Sequence, residues 1–205
     1  MSKNLKMVKQ ENIKRTILDT ACQIILKDGF KGLSVRKITK NIGYSPSIIY
    51  HYFKNKEDII NQLNEEGFQK IIDCIKSTER NEEYPQKELE EALRKYIKTA
   101  LENPKFYLAV MLSDNKEILK STSVLYEGVS KNNIAFKMLC GNLRRGIEKK
   151  IYRDTHVEQT AQVLWTSLFG FIVRLITEGV EEKRADLLTE EYLKFVIGGI
   201  TNKRD

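Results

Sequence analysis

Between Ser34 and Asn55 the chain carries two short runs with apolar stripes, VRKITKNI and PSIIYHY, separated by the turn residues GYS. Neither reaches the roughly 12 residues that an isolated helix needs, so each must be held by a neighbour. In the first run Val35, Ile38 and Ile42 share a face, with Ser34 placed to cap it and Gly43 to stop it. In the second, Ser45 is placed to cap and Pro46 takes the first helical position, where its missing N–H costs nothing. Two short helices joined by a tight glycine-containing turn make a helix-turn-helix. Its support is the preceding run, where Ile13, Ile17, Leu18, Ala21, Ile24 and Ile25 recur at helical spacing, giving a helix over about Lys9–Asp28 that Gly29 ends.

The same reading carries through the rest of the 205 residues, in which three Pro and eleven Gly leave few interruptions. A long helix is expected over Lys56–Glu79, capped by Asn55. Others follow over Gln86–Glu102, Lys105–Ser113 and Ile118–Lys150, the last interrupted near Gly128 or Gly141. The chain is therefore expected to be all-α with about nine helices: a three-helix head over residues 1–55 and a larger helical body over 56–205. The last two helices differ in kind. VEQTAQVLWTSLFGFIVRLITEG is apolar around most of its circumference, and Thr189–Asn202 adds a second apolar face beside Gly198 and Gly199. Trp165, Leu168, Phe171, Ile172, Leu175, Tyr192, Phe195, Val196 and Gly199 are read as a homodimer surface, the alternative being the body's own core.

Charge is unevenly placed. The first 60 residues hold 12 Lys and Arg against 5 Asp and Glu, which accounts for the whole net charge of +7, while the remainder balances at 23 against 23. A basic head on a neutral body points to a polyanion, and to nucleic acid rather than membrane, since no long basic amphipathic face occurs there. No apolar run approaches the 18 or so residues of a membrane span, and the opening MSKNLKMVKQ lacks a signal-peptide pattern, so a soluble cytoplasmic protein is expected. Cys22, Cys74 and Cys140 are too scattered for a metal site or a disulfide framework. With His51 and His156 the two histidines, and no Gly-rich phosphate loop, no enzyme constellation is present; neither metal nor cofactor is expected.

ILDTA at 17–21, DGFKGLSVRKI at 28–38 and GYSPSIIYHYFKNKEDI at 43–59 resemble the N-terminal domain of the TetR family (tetracycline-repressor-like) of transcriptional regulators. The resemblance spans about a quarter of the chain. It implies an operator-binding homodimer, in habit a repressor, whose variable helical body takes a small-molecule effector. The alternative is a sensorless DNA-binding or nucleoid-type protein built on the same motif.

Physical roles for the matched residues follow from what DNA presents. Ser34 and Ser45 stand at helix starts, where hydroxyls and backbone N–H groups favour an anion. Lys14, Arg36, Lys37, Lys54 and Lys56 are candidate phosphate neutralisers. Pro46, Ser47, Tyr50 and His51 are placed on the groove side, Tyr50 resembling the family's phosphate-contacting tyrosine; His51 has a base, a phosphate or bare solvent as its partner. Where many members have Lys-Gly-Thr this chain has Pro46-Ser47-Ile48, and Ile48 is left between a thymine methyl and burial. An effector pocket would draw on Phe106, Tyr107, Met111, Tyr126, Phe136, Met138, Trp165 and Phe169, each of which is also a plain core candidate. Arg174 is placed either on an acidic ligand or in a salt bridge to a body carboxylate such as Glu178.

Overall fold

The computed structural model describes residues 2–113 and 116–202. Eleven helices lie among them: α1 (Ser2–Gly32), α2 (Val35–Ile42), α3 (Pro46–Tyr52), α4 (Lys56–Lys76), α5 (Pro85–Glu102), α6 (Pro104–Met111), α7 (Lys116–Thr122), α8 (Val129–Asn132), α9 (Ile134–Glu148), α10 (Val157–Thr177) and α11 (Glu182–Ile200). Strand pairing among the described residues is limited to one bridge, Tyr152 with Thr201. The all-α expectation holds, but eleven helices replace about nine because the run expected as Ile118–Lys150 is three helices. The break falls at Gly128, whose φ of 80° no ordinary helix residue adopts, and again at Asn133, whose extended backbone lets its side chain cap α9 at Phe136 N (3.2 Å). Gly141 lies inside α9 and interrupts nothing.

The described chain forms two compact units. One holds the residues up to Phe68 with Lys105–Thr122; the other holds Gln69–Pro104 and the residues from Ser123 on. The division falls within α4, whose 21 residues extend about 31 Å at 1.5 Å per residue.

In the first unit α2 packs on both α1 and α3. Ile17, Leu18, Ala21 and Ile25 of α1 meet Ile38 of α2, Ile49 of α3 and Ile59, Ile60 and Leu63 of α4 in one buried cluster, which Ala109 and Val110 of α6 and Ile118 of α7 complete. Gly67 is where α4 meets α6: a Cβ there would lie 1.6 Å from the Phe106 ring. Cys22 is buried in the same core, and desolvation pushes its thiol up to about 11.

In the second unit α5 packs against α9, α10 and α11, and α10 against α9. Leu93, Tyr96, Ile97, Phe136, Leu143, Leu168, Ile172, Leu175 and Leu193 are buried there, together with Cys140, whose thiol burial also raises. By length and composition α10 would suffice to cross a bilayer, contrary to the sequence expectation, and its inner face packs on α5 and α9. The short α8 is anchored to α10 by one carboxylate: Glu158 accepts from Gly128 N (2.9 Å), Ser130 N (3.0 Å) and Ser130 Oγ (2.7 Å). Those three donors hold its carboxyl at about 2, far below its ordinary 4.5. One turn on, Gln162 Nε2 donates to the carbonyls of Val124 (2.8 Å) and Tyr126 (3.1 Å), fastening the loop ahead of α8.

Candidate nucleic-acid interface and effector cavity

The turn between α2 and α3 is built locally. Ser34 Oγ accepts from Lys37 N at 3.2 Å, starting α2, and Gly43 ends it with φ 71° and its N–H on Thr39 O (2.9 Å). Pro46 then opens α3, as its fixed φ allows. Ser45, expected as the cap, makes no side-chain cap bond; its hydroxyl is spent instead on Ser47 Oγ at 2.7 Å. Ile49 and Phe53, one turn apart, are buried at 0% and 3% exposure and fix the short helix to its support.

That anchoring settles which side of α3 faces out. Pro46, Ser47, Tyr50 and His51 are all exposed, Tyr50 by 58%, at positions that share one face of a helix. His51 meets the edge of the Tyr52 ring at 5.0 Å, while Tyr52 itself is half-buried against the core and Ile48 is half-exposed. Around this face the cations differ. Arg36 and Lys54 are exposed and Lys56 is half-buried; none has a carboxylate partner among the described residues. Lys14 sits 6.0 Å over the Phe53 ring. Lys37 is committed otherwise, its Nζ 2.6 Å from Asp28. At the start of α4, Asn55 Oδ1 accepts from Asp58 N (2.8 Å) and Asp58 in turn accepts from Lys54 N (2.9 Å), which fixes the backbone on which Lys54 and Lys56 stand.

The second unit contains a cavity of about 70 Å³ between α4, α5, α9 and α10, lined by apolar groups such as Leu93, Leu139 and Leu168 with Trp165, and by Thr78, Glu88 and Asn142. Of the sequence-derived candidates Met138 and Trp165 line it. Phe136 is fully buried with its ring 5.5 Å from that of Trp165. Phe106, Tyr107 and Met111 belong to the first unit, Tyr126 lies exposed on the loop before α8, and Phe169 is not in the wall. Arg174 is exposed and pairs with Glu178 four residues on. A separate groove of about 780 Å³ at the ends of α5 and α10 and the start of α11 carries six ionisable side chains, among them Arg94, which is already paired with Glu90 and Glu190.

Sequence reasoning missed the polar end of the cavity. Glu88 and Arg145, both 16% exposed, pair at 2.5 Å, and Asn81 N donates to the same carboxylate at 2.8 Å. Asn142 donates to Pro85 O (2.8 Å) and accepts from the Tyr152 hydroxyl (3.1 Å), whose pKa burial raises. A buried Asn on the inner face of α9 was the available signal. Its partners, 57 and 10 residues away, leave no local trace.

The proposed dimer residues separate into two faces. Leu168, Ile172, Leu175 and Val196 are buried within the chain, since they fall on the inner side of α10 and α11, and Trp165 faces the cavity. Outward stand Phe195 (81% exposed), Val163 (69%), Gly170 and Gly199, with Phe171 and Tyr192 half-exposed and stacked at 4.5 Å.

Residues 17–63 match the sequence profile described as bacterial regulatory proteins, tetR family. Over that segment the chain is similar to the TetR family. It is accordingly a DNA-binding transcriptional regulator. The chain is 26% identical to the fatty acid metabolism regulator protein of Bacillus subtilis, over 91% of its own length and 95% of that protein. It is 24% identical to the transcriptional repressor AcnR of Corynebacterium glutamicum, over 96% of each chain. Among solved structures its fold is similar to the transcriptional regulator FadR of Bacillus subtilis in complex with stearoyl-CoA, with a TM-score of 0.66 at 23% identity, covering 91% of this chain and 98% of that one. It is also similar to the ketosteroid transcriptional regulator KstR2 of Mycobacterium tuberculosis, with a TM-score of 0.71 at 20% identity over 93% and 95%.

Proposed function

We propose that this regulator is a cytoplasmic repressor, without catalytic activity, that binds a palindromic operator as a homodimer and is released by a small molecule in the cavity of its second unit. The observation that carries the reading is the outward face of α3, with Pro46, Ser47, Tyr50 and His51 free of the core and Arg36, Lys54 and Lys56 uncommitted beside it. Side chains that reach base edges need such a face, and the cations supply the phosphate contacts that fix its register. The uncovered side of α10 and α11, where Phe195 and Val163 project, supports a twofold partner.

The effector reading rests on the cavity's composition and size. At about 70 Å³ it is well below the roughly 300–1,000 Å³ of ordinary ligand pockets, so an effector has to displace part of the wall. Ile75 of α4 is in that wall, and α4 begins at Lys56, directly after the reading helix. A ligand that prefers the displaced wall would shift the population away from the spacing of about 34–36 Å that two recognition helices need. The stearoyl-CoA held by the similar Bacillus subtilis regulator makes long-chain acyl thioesters the first effectors to try.

The test is selection of duplexes from a random pool followed by anisotropy titration at several salt concentrations. A symmetric site, bound more weakly as salt rises and released by one of the trial effectors, is the expected result. Recovery of sequences without twofold symmetry would overturn it.

A further inference from the structure

Of the described residues lining the cavity, Glu88 alone is charged, and it is an acid. Its charge is held in place by Arg145 (2.5 and 2.6 Å) and by Asn81 N–H (2.8 Å), and Arg145 has a second carboxylate, Glu82, at 3.7 Å. Glu82 is exposed and paired in turn with Arg80, so both guanidiniums are already matched by carboxylates and Arg145 has no charge left for a further anion. The Thr78 hydroxyl lines the same cavity, is buried and has no hydrogen-bond partner among the described residues. Buried hydroxyls are seldom left unsatisfied, because the desolvation of the group is then uncompensated. Two further buried atoms lack a hydrogen bond among the described residues: Gln86 Oε1, next in the chain to the Pro85 carbonyl that takes Asn142, and Arg145 Nε, which faces Glu82 only at 3.7 Å. The rest of the wall is Ile75, Leu89, Leu93, Leu139 and similar apolar groups.

We propose that this cavity selects a neutral apolar molecule bearing a hydroxyl or carbonyl oxygen, which the Thr78 hydroxyl receives, and that Glu88 excludes carboxylates. The inference rests on the effector reading of the cavity and adds the class of head group. A hydroxyl both donates and accepts, so it satisfies Thr78 and can also reach a free lone pair on Glu88 Oε1, which takes one bond from Arg145. A carboxylate placed there would be desolvated beside Glu88 with no free cation to pair with, since Arg145 is already spent on Glu88, and that costs far more than one hydrogen bond returns.

The chain's one tryptophan, Trp165, is in the wall, so its fluorescence reads occupancy directly. The full-length protein is titrated at pH 7 with 1-hexanol, hexanoate and hexylammonium, probes of matched length. Hexanol is expected to give a saturable change, and hexanoate to bind at least about tenfold more weakly. Thr78→Val, which is isosteric and spares the Glu88–Arg145 pair, should weaken hexanol about fivefold, the share of a neutral hydrogen bond, and leave hexanoate unchanged. Glu88→Gln should bring hexanoate toward hexanol. Equal binding of hexanol and hexanoate, tightest binding of hexylammonium, or an unchanged hexanol affinity in Thr78→Val would each overturn the proposal, and the last does so even where Glu88→Gln fails to fold. Operator release is followed separately. DNA freed by ligands without regard to their head group would sink the selection while leaving the regulator ligand-responsive.

Discussion

Arg36 and Lys37 are adjacent cations in the basic head with opposite commitments. Arg36 is exposed and has no acidic partner among the described residues, whereas Lys37 spends its charge on Asp28 at 2.6 Å, across the turn that joins α1 to α2. A phosphate contact contributes about 0.9 to the slope of log K against log salt through counterion release. Arg36→Ala is therefore expected to lower that slope by about one, and Lys37→Ala by clearly less, measured by anisotropy on one duplex between 50 and 200 mM salt. Equal slopes for the two variants would show that Asp28 does not hold Lys37 back. The same contrast limits what sequence could tell at this scale. Both residues are basic and next to one another, and only the folded turn assigns Asp28 to Lys37. Likewise Ser45 and Ser34 look equivalent as caps, but Ser47 lies within reach of Ser45 and takes its hydroxyl.

At the scale of elements, what was legible is what is local. Caps, the Gly43 stop and the Pro46 start act over four residues, so α2 and α3 could be read with their true ends. The long run after Ile118 could not, because α8 is only four residues and exists through Glu158, about 30 positions away. The Glu158 anchor has a definite pH signature. A carboxyl whose folded pKa lies below its ordinary 4.5 stabilises fully above that value and loses the contribution as pH falls through its folded value, here about 2. Hydrogen exchange at Gly128 and Ser130 should therefore stay protected down to about pH 4, whereas Glu158→Gln should speed it at pH 7. If the variant exchanges as slowly as the parent, the carboxylate is not what holds α8.

For the whole molecule the most consequential surface is the outer side of α10 and α11. By sequence these helices read as a dimer surface or as the body's own core, and the inner stripe of Leu168, Ile172 and Leu175 could not be told from the outer one, because both stripes are apolar. Phe195, at 81% exposure, is the clearest probe of the difference. Phe195→Glu is expected to convert a dimer to a monomer by light scattering at micromolar concentration with helical circular dichroism unchanged, and to lose the tight binding that two half-sites give together. A Phe195→Glu protein that stays dimeric would place the twofold interface elsewhere.

Each compact unit also buries one thiol: Cys22 lies in the first and Cys140 in the second, and burial makes both poor nucleophiles. The chain therefore carries two internal clocks, because each sulfur reacts only when its own surroundings open. In a Cys74→Ser background, which removes the half-buried third thiol, a disulfide reagent should label Cys22 and Cys140 at separate rates. Operator DNA should slow the first clock and hexanol the second, so one sample would report which part of the regulator each ligand steadies. A single common rate would mean instead that the two units open as one.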